Sequence, residues 1–273
     1  MATAQRPHLN MLTNWLFDLC WFGWNQALSC LFAASIFAGL IVTRYVDFGL
    51  PRYDVMLLWC LLLQAAMVAS RLESYDELKV ICVFHLVGLC LEIFKVHIGS
   101  WSYPDAGHIR LAGVPLYSGF MYAAIASYMC QAWRRFKLDV DHLPMAPTMF
   151  VALLIYANFY TNHWLPDARW ILVAAALLLM RKTWVRFYVR GSRYKLPLPA
   201  AFVLIGFFIW IAENIGTFIG AWQYPGQVDG WKLVHSSKLG SWSILIIFSF
   251  MLILWLKSEK RLLSQKHSKS ALQ

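Results

Sequence analysis

Charge is scarce in this chain. Asp, Glu, Lys and Arg make up 14% of its 273 residues, whereas 60% are hydrophobic. A soluble domain is about a quarter charged and about half apolar, so a surface turned mainly to water is excluded. Organised cysteine is missing as well. Cys20, Cys30, Cys60, Cys82, Cys90 and Cys130 lie scattered through apolar runs, with no CxxC pair and no Cys/His spacing of the kind that holds zinc. They read as free thiols packed like small hydrophobes, and neither a metal nor another cofactor is expected. A cleaved leader is not expected either, because residues 1–10 are polar and no small-residue cleavage site follows the first apolar run.

Long apolar runs are what the chain has in abundance. Runs of about 18 or more such residues with few charges read as membrane-crossing helices. About eight occur, at 25–43, 55–70, 80–98, 115–133, 147–164, 169–181, 198–220 and 240–256, with 55–70 and 169–181 the short ones. Membrane barrels are argued against, since their strands alternate over about ten residues. The segment Asn14 to Trp24, with Trp15, Trp21 and Trp24 beside Asp18, suits the headgroup level. The fold expected is all-α: a polytopic membrane bundle with the lipid bilayer as its main partner.

The net charge of +10 invites a nucleic-acid reading, but its distribution argues for topology instead. With eight spans, one side holds Arg6, Arg71, Lys79, Arg134, Arg135, Lys137, the cluster Arg181, Lys182, Arg186, Arg190, Arg193 and Lys195, and the tail Lys257, Lys260, Arg261, Lys266 and Lys269. The other side holds only Arg44, Arg52, Arg110, Arg169, Lys232 and Lys238. The positive-inside rule then puts both termini in the cytoplasm of a bacterial inner membrane. The cluster and the tail suit anionic lipid, and no nucleic-acid partner is expected.

One motif returns. Glu92 to Pro104, EIFKVHIGSWSYP, reappears 121 positions later as Glu213 to Pro225, ENIGTFIGAWQYP. Gly49-Leu50-Pro51 opens the second run and Trp164-Leu165-Pro166 the sixth. The chain thus reads as two parallel four-helix repeats, residues 1–140 and 141–273, related by an axis along the membrane normal. Each glutamate lies seven residues, about 10 Å, inward of its turn.

A mid-membrane carboxylate costs roughly 2.5–3.5 kcal/mol on insertion scales, so it needs a partner or a purpose. Glu92, Glu213 and Lys95 are therefore the candidate catalytic residues. Lys95 is placed to pair with Glu92 at i, i+3, and His85 lies two turns back on the same face. Asn214 adjoins Glu213, and Gly206, Gly216 and Gly220 near it admit a close neighbour. Beyond each turn come polar groups read as a lid over the site: Asp105, His108 and Arg110 in one half, Asp229, Lys232 and His235 in the other. Trp101, Tyr103, Trp222 and Tyr224 suit either substrate contact or an aromatic belt. Asn158, Asn162 and His163 form a further polar stripe. The structural alternative throughout is that the two acids only hydrogen-bond across helices and hold the bundle together.

Glu-x6-Gly-x-Trp-x-Tyr followed by Leu111-Ala112-Gly113-Val114-Pro115 resembles the membrane-type lycopene cyclases and the carotenoid hydratases. The chain as a whole resembles a bacterial multi-pass membrane family of unknown function. The first resemblance implies proton addition to a polyene or another isoprenoid. Leu116-Tyr117-Ser118 stands where the cyclases carry acids, which argues against ring closure. Three readings follow: an intramembrane enzyme in which a glutamate protonates an apolar lipid, a proton-coupled transporter with both glutamates at the repeat interface, and an accessory structural protein. The sequence sets no oligomeric state.

Overall fold

The structure, a computed structural model, describes residues 11–270, with side chains over 12–257. The polar stretch 1–10 with Arg6, and the tail charges Lys260, Arg261, Lys266 and Lys269, lie outside that description. The expected first run is not one straight helix. Helix α1 (Met11–Ser29) and α2 (Leu31–Tyr45) meet at Cys30 with a 61° bend. Trp15, Trp21 and Trp24 on α1 are exposed, whereas Asp18 is buried.

Helices α3 (Arg52–Ala69) and α4 (Tyr75–His97) follow. α4 starts on a capping box, with Ser74 accepting from the Glu77 amide and Glu77 accepting from Ser74. Its end carries Lys95 and His97, the sign that suits a helix C-terminus. After the short hairpin β1 (Arg110–Leu111) and β2 (Val114–Pro115) comes α5 (Ser118–Phe136). α5 is the most interior of these helices, packing Gly119, Ala123, Ala124, Ala126 and Ser127 against its neighbours.

The second half runs through α6 (Met145–Thr161), α7 (Arg169–Met180), α8 (Leu198–Phe218) and α9 (Ser237–Ser270). Helix contacts recur in parallel. α2 packs on α3 and α5, and α4 on α5. α6 packs on α7 and α9, and α8 on α9. Small residues set the close approaches: Tyr122 lies against Gly88, and Ser243 against Gly206.

Among the described residues, four helices are long and apolar enough to cross a membrane: α3, α4, α8 and Ser237–Lys257 of α9. The bent α1–α2 pair makes a fifth if counted as one span. α6 and α7 are shorter apolar helices of 17 and 12 residues. The loops also differ from expectation. Residues 181–197 are not an open basic loop but a hairpin, β4 (Trp184–Val189) and β5 (Ser192–Pro197), which β3 (Asp139–Asp141) joins as a third antiparallel strand. Arg190 and Gly191 both take positive φ, 47° and 83°, as a two-residue hairpin turn requires. Arg186 is bound by Asp141 and faces Asp139, and Arg190 by Asp18, so these two cations serve the fold before they serve lipid.

Candidate functional site

Both copies of the repeated motif end in the same way. In α4, Ser100 donates to Lys95 O (2.9 Å) and Gly99 to Val96 O (3.0 Å). In α8, Ala221 donates to Gly216 O (2.9 Å) and Gly220 to Thr217 O (3.1 Å). These are paired Schellman closures, and each needs a left-handed residue, supplied by Gly99 at φ 73° and Gly220 at φ 71°. The chain then leaves each helix extended. The two extended pieces pair with one another: Ser102 and Gln223 exchange both backbone hydrogen bonds at 2.9 Å in an antiparallel bridge.

The turn folds each motif tyrosine back onto its own glutamate, eleven residues earlier. Tyr103 donates to Glu92 Oε2 at 2.6 Å, and Tyr224 to Glu213 Oε2 at 2.5 Å. Both glutamates are buried, and each lies within the other's electrostatic reach. They are completed unequally. Glu92 also receives Trp101 Nε1 on Oε2 (2.7 Å) and Tyr122 from α5 on Oε1 (2.9 Å). Glu213 has the single tyrosine, with Lys238 of α9 beside that tyrosine's ring. The Lys238 ammonium sits 4.6 Å from the Tyr224 ring centre and 5.6 Å from that of Trp101, an edge-on neighbour of Tyr224.

Lys95 does not pair with Glu92. Its Nζ lies 3.0 Å from His163 Nε2, between the rings of Phe94 and Phe159. The reason is competition: three aromatic donors already occupy the Glu92 carboxylate, so the lysine turns to the loop after α6. Across that loop Asn158 of α6 donates to Asp167 at 3.1 Å and Arg169 of α7 pairs with Asp167 at 3.3 Å. Burial opposes ionisation of Asp167, but Asn158, the Arg169 amide and the nearby cations outweigh it and hold the carboxyl below its usual range. Burial, and then the Lys95 charge, lower His163, which leaves a neutral ring to accept from the ammonium.

His85 also stays apart from the acid, packed edge-on to Phe120 under Gly119. The lid residues are mostly structural. Asp105 pairs with Arg52 and Arg110 donates to Asp105 O, Gly107 O and Gly113 O. The exposed His108 is held through its amide by Asp54. Asn214 fixes the second loop by accepting from the Val234 amide at 2.9 Å, and Gln227 donates to Lys232 O. His235 bonds Ser237 at the start of α9, and Asp229 is exposed. Trp222 packs its ring over Gly216, the position where the repeat would put a second Lys95. Among the described residues there is no group of three or more His, Cys, Asp or Glu able to hold a metal ion.

Sequence reasoning missed Arg52, Tyr122 and Lys238, because each reaches the site from another helix. Arg52, its side chain 10% exposed, joins Asp105 (2.5 Å) to Ile219 O and Gly220 O (both 3.1 Å) and Leu40 O (3.0 Å). Tyr53 and Tyr117 both donate to Ala221 O, at 3.2 and 3.1 Å. Glu73, between α3 and α4, is a further buried acid, bound by Ser127 and by Gln64 (2.6 Å).

Apolar helices of membrane-crossing length around a buried carboxylate pair define a helical membrane protein. Within that class, the chain belongs to the family described as "Protein of unknown function (DUF817)", whose match covers residues 18–250. It is 55% identical to the uncharacterized protein YoaT of Bacillus subtilis (strain 168) over 241 residues, which is 88% of this chain and 91% of that one. No solved structure matches it. These matches lend no support to the carotenoid-enzyme resemblance.

Proposed function

We propose that the chain is a proton-coupled carrier of a small solute, built as two parallel four-helix repeats with the Glu92–Glu213 pair at their interface. The observation that carries this reading is the inequality of two otherwise matched acids. A carboxylate held by three donors is an anchor. One held by a single tyrosine and faced by a lysine can take up and release a proton with little rearrangement, so Glu213 is the exchanging group.

The repeat is supported by the recurring helix contacts, the twin turns and the Ser102–Gln223 bridge. Chain closure supports eight passages. The bridge keeps both turns on one face, while strands β3, β4 and β5 keep residues 139–141 and 184–197 together. α8 runs from that sheet to its turn, so α5 must make the matching return. The Lys95–His163 contact brings the end of α6 back beside the end of α4, and α7 closes the circuit to β4. A water-sized void beside Tyr122, bounded by Phe84, Leu91, Tyr156, Phe248 and Ser249, has room for a water next to a hydroxyl that holds Glu92.

The test is solute-dependent proton movement into liposomes holding the full chain, screened over small carboxylates, amino acids and phosphate. Wild type should acidify or alkalinise the lumen with one of them, and E213Q should not. Flux that survives E213Q overturns the reading. Four aromatic rings around the acids, from Trp101, Tyr103, Tyr122 and Tyr224, favour a second reading, protonation of an isoprenoid with cation–π support. A co-purifying polyene found by mass spectrometry of extracted lipid would select it.

A further inference from the structure

The geometry points to an oxyanion site, for a carboxylate or phosphate group, formed by Lys95, His163, Arg169 and Lys238 around the ends of α4, α6, α7 and α9. It names the solute class of the carrier proposed above and rests on that reading. The observation behind it is a buried cation without an anion. Lys95 is 6% exposed, and its one hydrogen-bond partner among the described residues is the neutral His163 ring at 3.0 Å. No carboxylate lies within ion-pair distance of it among the described residues. A buried ammonium without a counter-charge is costly, and membrane proteins keep one where a ligand supplies that charge.

The surroundings strengthen the case. Arg169 and Lys238 both lie close enough to Lys95 to repel it, and each outweighs the weaker pull of Asp167. Of the nearby acids, Asp167 is taken by Arg169 and Asn158, and Glu213 by Tyr224 and Lys238. Three cations therefore face two carboxylates, and one positive charge remains. Phe159, whose ring centre is 5.8 Å from Lys95 Nζ, is also a wall of a water-sized cavity shared with Asn158, Asn162 and Arg169. Asn162 Oδ1 is buried without a partner in that wall. An amide turned the other way would present Nδ2 as a donor to an anion. Arg169 Nη1, held by Ser241 at 3.1 Å, adds a donor at the same edge.

The experiment is thermal unfolding of the full chain in detergent, titrated with acetate, succinate and inorganic phosphate at constant ionic strength. A parallel arm uses nanodiscs of phosphatidylcholine with or without phosphatidylglycerol. At least one anion should raise the midpoint saturably, and K95M and R169Q should each weaken that response by roughly tenfold or more. E213Q removes one of the two carboxylates in that balance, so it should not weaken the response. Stabilisation confined to phosphatidylglycerol and lost in both variants would assign the same site to a lipid headgroup. An absent response, or one unchanged in K95M and R169Q, overturns the site. Because E213Q tests proton movement and K95M tests anion binding, failure of one leaves the other readable.

Discussion

At the residue scale, the two motif glutamates separate by their donors, and substitution should separate them too. In E92Q the new amide group faces hydroxyl and indole donors that had been accepted by an oxygen. One buried donor then loses its acceptor, which costs about 1–3 kcal/mol. E213Q meets one tyrosine and should unfold within a few degrees of wild type, so a flux defect there reads as function. Scanning fluorimetry of both variants in one detergent checks this, and equal destabilisation would remove the proposed division of roles. Glu73 gives the pH test. Burial first of all pushes its carboxyl above the usual value, against the pull of Ser127 and Gln64. Gln64 Oε1 is buried without a partner, and a protonated Glu73 with the amide turned would satisfy it. The folded chain then holds this proton to higher pH than the unfolded chain does. Its contribution to stability is complete below the unfolded pKa and is lost as pH rises through the folded one. Wild type should therefore lose more stability than E73Q as pH rises through and above the usual carboxylate range, and parallel curves would show that Glu73 is not the group responsible.

At the element scale, the sequence was most legible where one helix and its own turn make the contact. Glu92 with Trp101 and Tyr103, and Glu213 with Tyr224, all lie within one motif, so a repeat read by eye brings them together. Tyr122, Lys238 and Arg52 come from neighbouring helices, and nothing in their local spacing marks them. The β4–β5 hairpin escaped notice because its basic residues dominate the segment, while the Arg190-Gly191 turn is a weaker signature than Asn-Gly. The divergence between motif copies has a packing reason: Trp222 lies where a side chain at position 216 would have to go, whereas Lys95 extends to His163. G216A should thus drive a methyl into the Trp222 ring and destabilise by about 1–3 kcal/mol. W222L in the same chain should recover part of that loss. An additive double variant, read by thermal unfolding, would mean that the ring is not what fills the space.

At the scale of the whole molecule, the membrane class was evident from composition, but the number of crossings was not. Length and hydropathy pick out α3, α4, α8 and part of α9. α5 is less apolar because it is interior: its small and polar residues, Ser118, Gly119, Ser127 and Gln131, are buried against protein. α7, about 18 Å long at 1.5 Å per residue, is short for a hydrocarbon layer of about 30 Å. Its ends are carried further by the Asp167–Arg169 turn and by β4. Arg52 ties the assembly together by bonding the first-half Asp105 and the second-half carbonyls of Ile219 and Gly220. Removing it leaves Asp105 and those carbonyls without their donor, so R52A should cost about 3 kcal/mol and R52K little less, a lysine being unable to reach several acceptors at once. On the eight-passage reading proposed above, the bridged turns and the sheet lie on opposite faces of the membrane. His108 and His235 lie beyond the bridged turns, and Lys137 and Arg193 lie at the sheet; all four are exposed. With the native cysteines replaced, H108C and H235C should react with an impermeant maleimide from one side of the membrane, and K137C and R193C from the other. Labelling of positions 108 and 235 from opposite sides would require an odd number of crossings between them, which the Ser102–Gln223 bridge does not allow.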